Sequence, residues 1–294
     1  MHILLTDSGV GGLSVCALLE RYLRQKQASG KIRITYVNAS PEDEYGYNSM
    51  PTRKEKINTF DRFLVNATEE YHPDFIYIAC NTLSVLYKDT DFATNEPVPV
   101  LDIIHTGVQH LLEEMKQDPT TIALLFATVT TIDEAMIQRE LLQNGIGIER
   151  MIRQACPSLA DTISEDLGGE QVREKIETYV SQATQSIKDN EMTLLVYLGC
   201  THYGYRKSTF MEVFQKRGYH VKIINPNEGA VADIMGHPSA VCGSEQDEDS
   251  VSIEVVSRYR IPERTQKTLA FYLESMSPET VKAINHFTYT PGLF

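Results

Sequence analysis

A chain of 294 residues with 42% hydrophobic and 23% charged residues is long enough for one large domain or two ordinary ones around a real core. Its formal net charge of −13, with no concentrated basic tract, argues against nucleic acid or an anionic membrane as the main partner. The start, MHILLTDSGV, is no signal peptide, and the longest nearly uncharged stretch, TTIALLFATVTTI, is too short and Thr-rich to span a bilayer, so a cytoplasmic protein is expected.

In chain order, HILLT is a short apolar run closed by DSGVGG, and an amphipathic helix follows in GLSVCALLERYL. IRITYVN reads as the second strand. RKEKINTFDRFLVNATEEY carries Ile57, Phe60, Leu64 and Ala67 at helical spacing, and FIYIACNT is a third strand. After residue 100 the order recurs: strand TIALLFATVTT, helix IDEAMIQRELLQN, strand IGIERMI, helix VREKIETYVSQATQSIK and strand TLLVYLGCTHY. YHVKIINPNEGAVADIM adds another strand and helix. Continuous apolar strands alternating with helices predict an α/β protein with parallel sheets covered on both faces.

Five cysteines, at positions 16, 80, 156, 200 and 242, are scattered without C-x-x-C spacing, so neither a disulfide framework nor a zinc ribbon is expected. Cys16 lies inside a helix pattern and reads as packing, and Cys242 has no nameable partner. Cys80 closes an apolar strand, where a core cysteine is the bland explanation.

The internal repeat changes that weighing. KEKINTF begins at Lys54 and REKIETY at Arg173, which lie 26 and 27 positions before Cys80 and Cys200. Asp7 precedes Cys80 by 73 positions and Thr128 precedes Cys200 by 72. An offset of about 120 residues implies two similar units. Ligands bind outside the carboxyl edge of parallel sheets, so two facing units would bring Cys80 and Cys200 to one cleft from opposite sides.

Opposed thiols suit removal of a proton from one face of a carbon and its return to the other, with each pKa tuned from about 8.5 toward neutrality. Asp7 and His202 stand ready to do the tuning. Helix capping by Asp7-Ser8 and a satisfied rim position for His202 remain the alternatives. Other chemistries are weaker. DSGVGGLS has Ser14 where G-x-G-x-x-G needs its third glycine, and the second strand ends in Asn38-Ala39-Ser40 without a ribose-binding acid. A Cys200–His202 acyl-transfer pair would leave Cys80 without a role, and Cys80, Cys200 and His202 make only three ligands for a metal.

DSGVGGLSV, ACNTLS and LGCTHY, in this order, resemble the glutamate racemase family, cofactor-independent members of the aspartate/glutamate racemase superfamily. EYGYNSMPTRKEKI is similar to its Tyr-Gly segment, ATVTT to its Thr-x-x-Thr segment and QACPSL to its Cys-Pro element. The resemblance implies Cys80 and Cys200 as acid/base catalysts, removing the α-proton of D- and L-glutamate respectively, with Asp7 and His202 assisting. It assigns Asn81, Thr82, Thr128, Thr131 and Thr201 to the α-carboxylate and amino group, and Ser8, Tyr45 and Gly46 to the side-chain carboxylate. It further implies no cofactor and no metal, a small-molecule substrate, a homodimer, and D-glutamate production for peptidoglycan. A racemase of aspartate or another small acid, or a binding member without turnover, is the alternative.

Three departures stand out: Glu44 before Tyr45-Gly46, Gly204 where the family usually has Pro, and Ser164 at the apparent position of a carboxylate, with Glu165 next to it. The architecture expected is two similar doubly wound parallel-sheet domains related by pseudo-twofold symmetry, with the active site in the cleft between them. Residues 1–100 plus 217–294 would form the first domain and 101–216 the second, and the tail from about 245 carries no chemical signal.

Overall fold

The structure, a computed structural model, describes residues 1–26, 30–42, 45–187, 192–240 and 250–294. Glu44 and Cys242 lie outside the described residues. The strands are β1 (His2–Asp7), β2 (Lys31–Asn38), β3 (Phe75–Ile78), β4 (Val100–Asp102), β5 (Ile122–Ala127), β6 (Met151–Ala155), β7 (Thr193–Gly199), β8 (His220–Ile224), β9 (Ser250–Ser257) and β10 (Thr288–Tyr289). They form two wholly parallel sheets, ordered β10-β9-β2-β1-β3-β4 and β6-β5-β7-β8.

The repeat is topological. In one sheet β1 is flanked by β2 and β3, with β4 outside β3; in the other, β5 is flanked by β6 and β7, with β8 outside β7. The central strands β1 and β5 are buried except at their first residue, as expected of strands covered on both faces. The helix Ile103–Gln117 directs Ile104, Val108, Leu111 and Met115 into one core with Ile76 and Ile78 of the first sheet and Leu125, Leu195 and Tyr197 of the second. Burying each such aliphatic side chain is worth about 1.5–3 kcal/mol, so this shared core fixes how the two sheets face each other.

Three features differ from the sequence expectation. β8 lies beyond the expected boundary at 216, yet it pairs along β7 from Thr193 opposite His220 to Tyr197 opposite Ile224. It covers an edge of β7 that would otherwise be open, and the chain rejoins the first sheet only with β9, which pairs along the whole of β2. The segment read as one helix from Ile132 is broken at Ala135, whose φ of 50° is left-handed, into Val129–Glu134 and Met136–Gln143. The tail is not chemically silent, because Tyr259, Pro262 and Thr265, which follow β9, reach the cleft.

Candidate active site

Every strand of the repeat ends on the same side of its sheet, because the sheets are parallel. The segments after β1, β2, β3, β5, β6, β7 and β9 wall a cavity of about 660 Å³ between the two units. This is the carboxyl-edge location where open α/β sheets bind ligands.

Cys80 follows β3 and Cys200 follows β7, the topologically equivalent strands. Their backbones match, with φ −151° and ψ 118° at Cys80 and φ −151° and ψ 134° at Cys200. Each caps the start of a helical turn, Asn81–Tyr87 or the 3-10 turn Thr201–Arg206, and each lines the cavity. Cys80 Sγ lies 3.2 Å from Ser8 Oγ and accepts the Leu83 N–H at 3.5 Å. Cys200 Sγ lies 3.8 Å from His202 Nδ1. Two cysteines placed by packing alone would have no reason to share conformation, strand position and cavity.

Asp7, the last residue of β1, is buried and ties the units together. Its Oδ2 accepts the Gly12 N–H at 2.6 Å and the Thr201 hydroxyl at 2.8 Å, and Ser8 Oγ donates to Oδ1 at 3.4 Å. The first of these bonds holds the turn that leads into the helix Leu13–Gln25, whose N-cap residue is Gly12 and which has no side-chain cap, so Asp7 is not the capping residue considered from the sequence. Thr82, Thr128 and Thr131 form a hydroxyl triangle at 2.9–3.4 Å, joining the strand ends of both units. Asn81 accepts the Tyr197 hydroxyl on Oδ1 at 3.3 Å, while its buried Nδ2 has no partner among the described residues. Asn227 Nδ2 holds the Thr201 carbonyl at 2.9 Å.

The cavity wall includes Asp7, Ser8, Gly46, Cys80, Asn81, Thr82, Thr128, Cys200, Thr201 and His202. Thr131 stands behind it, supporting Thr82 and Thr128. Tyr45 is not brought to the wall: it is 36% exposed and its hydroxyl donates to Glu55 at 2.5 Å. Tyr47, Asn48 and Ser49 take its place. Ser164 is buried in the wall with a short hydroxyl, and Glu165 lies beside Arg264 at 3.9 Å. Asp161, three residues before Ser164 on the helix Leu159–Glu165, adds its charge to the larger effect of Asp7 on both Cys200 and His202. Gly204 fits its surroundings closely, since a β-carbon there would stand 2.9 Å from Asn225 Nδ2.

Burial, reinforced by the Asp7 carboxylate, pushes both the Cys80 and Cys200 thiols well above the usual thiol range. Burial pulls His202 below the usual imidazole value, against the opposing charges of Asp7 and Asp161. Both sulfurs are therefore thiols, and His202 is a neutral ring whose Nδ1 can accept from Cys200. Burial also raises Cys156, and raises Cys16 to about 12. These shifts make a stability prediction. Above about pH 8.5 the unfolded chain releases thiol protons that the folded chain keeps, so their contribution is full below that pH and is lost as pH rises further. The melting temperature is expected to hold between pH 7 and 8 and to fall steadily from about pH 9 to 11. A flat profile in differential scanning calorimetry across that window would contradict the burial of these thiols.

Among the described residues no group of three or more His, Cys, Asp or Glu side chains is arranged to hold a metal ion, so Cys80, Cys200 and His202 do not converge as ligands. No described helix is long and apolar enough to cross a membrane.

Two repeated α/β units with a cysteine at each equivalent strand end, opening on one carboxylate-, hydroxyl- and amide-lined cleft, define an enzyme of the racemase type. The chain belongs to the Asp/Glu/Hydantoin racemase family, whose model matches residues 3–234. It is 26% identical over 235 residues to the glutamate racemase of Lactococcus lactis subsp. cremoris (strain SK11), covering 78% of this chain and 76% of that one. It is 29% identical over 204 residues to the glutamate racemase of Aquifex pyrophilus, covering 69% and 71%. The fold is shared with a crystal structure of glutamate racemase from Francisella tularensis subsp. tularensis SCHU S4 in complex with D-glutamate. That superposition has a TM-score of 0.69 and 21% identity, covering 94% of each chain.

Proposed function

We propose that the protein interconverts L- and D-glutamate without a cofactor, with Cys80 and Cys200 as the two acid/base groups. The observation that carries this reading is the matched placement of the two cysteines, each at the end of an equivalent strand, on one cavity.

The chemistry follows from the wall. A substrate ammonium beside Asp7 and Ser8 offsets the carboxylate that keeps both thiols protonated, and so favours the thiolate on the side of the departing proton. The α-carboxylate meets neutral donors from Asn81, Thr82, Thr128 and Thr201. Such donors stabilise the charge that builds on this group as the α-carbon becomes planar, without adding a permanent cation. Cys80 takes the proton from D-glutamate while Cys200 donates to the opposite face, and the roles exchange for L-glutamate. His202, neutral and next to Cys200, relays the proton that leaves or returns to that sulfur. D-glutamate supply for peptidoglycan, in the cytoplasm, is the cellular role this reading supports.

Circular dichroism of the purified protein with either enantiomer, no cofactor added, tests the proposal. Both are expected to converge on the racemate, with aspartate turned over much more slowly. In heavy water, early deuterium is expected at the α-carbon of product and hardly at all in recovered substrate. Turnover of aspartate but not glutamate refutes the substrate, and equal early label in both pools refutes opposed thiols.

A further inference from the structure

The wall of the cavity carries three carboxylates, Asp7, Asp161 and Glu165, and among the described residues no lysine or arginine lines it. An amino acid with an acidic side chain brings net negative charge into that field. Once its α-carbon stands between Cys80 and Cys200, the side chain has two ways to run. One leads to the helix Leu159–Glu165, where Asp161 and Glu165 repel it. The other leads to the segment from Gly46 to Ser49 and to Val129.

Behind that second end stands a cation. Lys56, half-buried on the helix Arg53–Tyr71, donates from Nζ to Thr130 Oγ1 at 2.8 Å. The Thr130 N–H in turn donates to Oδ1 of Asn48, a wall residue, at 3.4 Å. Lys56 forms an ion pair with no carboxylate of the described residues, whereas Arg53 on the same helix is held between Asp89 and Glu134. Lys175, which reaches the wall at Ser158, stands at the acidic end instead.

We propose that Lys56 is a specificity-determining residue: a cation with no ion-pair partner among the described residues, tethered to Thr130 behind Asn48, that draws the substrate's side-chain carboxylate to this end and selects acidic over neutral side chains. The inference rests on the glutamate reading above. Lys56 acts through its field rather than by contact, so it is a positioning residue. The field of a single charge placed behind the wall is worth roughly a factor of ten in affinity.

The test compares calorimetric binding of glutamate with that of norvaline, an uncharged amino acid of similar reach, in wild type, Lys56→Gln and Lys56→Arg. Kd for glutamate is expected to rise about tenfold in Lys56→Gln and to stay within about threefold in Lys56→Arg. Kd for norvaline should be the same in all three proteins. In racemisation assays KM should follow Kd while kcat changes less than about twofold. Unchanged glutamate binding in Lys56→Gln overturns the proposal, and so does an equal loss for both ligands, which would mark a structural role. Because binding does not require turnover, wild-type protein that binds glutamate through Lys56 but racemises nothing would refute the catalytic reading and leave this one supported.

Discussion

Replacing either Cys80 or Cys200 with alanine is expected to abolish racemisation in both directions while leaving the fold intact. A single general acid or base typically contributes ~10²–10⁴-fold. In the proposed mechanism each direction needs one sulfur to accept a proton and the other to donate one, so either substitution would remove a step from both directions, and the expected loss exceeds that range. Both residues are buried, at 4% and 8% exposure, and alanine is smaller and uncharged, so neither substitution adds bulk. Melting temperatures within a few degrees of wild type would confirm that activity, rather than structure, was removed. A Cys200→Ala protein with near-normal rates would refute the two-thiol assignment, and a loss seen for Cys80 alone would point to a single base working both faces. The same substitution at Cys16, in the first unit's core away from the cavity, is the control for thiol loss as such.

Much of this arrangement was legible in the sequence because its physics is local. β1, β3, β5 and β7 are continuous apolar runs, and a parallel strand buried on both faces leaves that trace. The candidate residues stand at or just after the ends of those runs, so the strand ends lead to Asp7, Cys80, Thr128 and Cys200, all of which line the cavity. β4 escaped notice because three residues carry no period, and its burial is only intermediate. The membership of β8 in the second sheet was invisible for a different reason: which sheet receives a strand is decided by a free edge, a tertiary property.

The side-chain end of the cavity was harder to read. Tyr45 and Tyr47 differ by two positions in an irregular segment, and nothing periodic says which turns inward. Tyr47 does, packing edge-on against Phe60 at 6.2 Å between ring centroids, while Tyr45 turns to Glu55. Ser164 and Asp161 lie about one helical turn apart, so both can face the same cleft. The sequence position suggested a missing carboxylate, and the helix supplies one three residues earlier. Lys56 was read only as part of a repeat, since its distance from Thr130 depends on how the two units face each other.

Gly11→Ala is expected to reduce kcat/KM about a hundredfold and to destabilise the protein, through space alone. The φ of Gly11 lies outside the left-handed region, so no special backbone conformation demands glycine there. A β-carbon at this position would stand 2.5 Å from Thr201 Oγ1 and 2.6 Å from His202 Cε1, and closer still to Nδ1 of the same ring. Those groups cannot retreat freely. Thr201 is hydrogen-bonded to Asp7 and its carbonyl is held by Asn227, while the ring is buried beside Cys200. Crowding of this kind costs about 1–3 kcal/mol. Displacing His202 from Cys200, or Thr201 from Asp7, by about 1 Å accounts for roughly 10² in rate. Gly9→Ala is the control, because its β-carbon would meet only His202 Cε1, at an ordinary 3.7 Å, and should cost little in either measurement. Steady-state kinetics and thermal melts of the two variants separate the explanations. Comparable losses in both would mean that the loop needs flexibility. Full activity in Gly11→Ala would mean that Thr201 and His202 are not held where the chemistry requires them. A large loss confined to Gly11 would tie the glycine-rich turn to the second cysteine rather than to a phosphate.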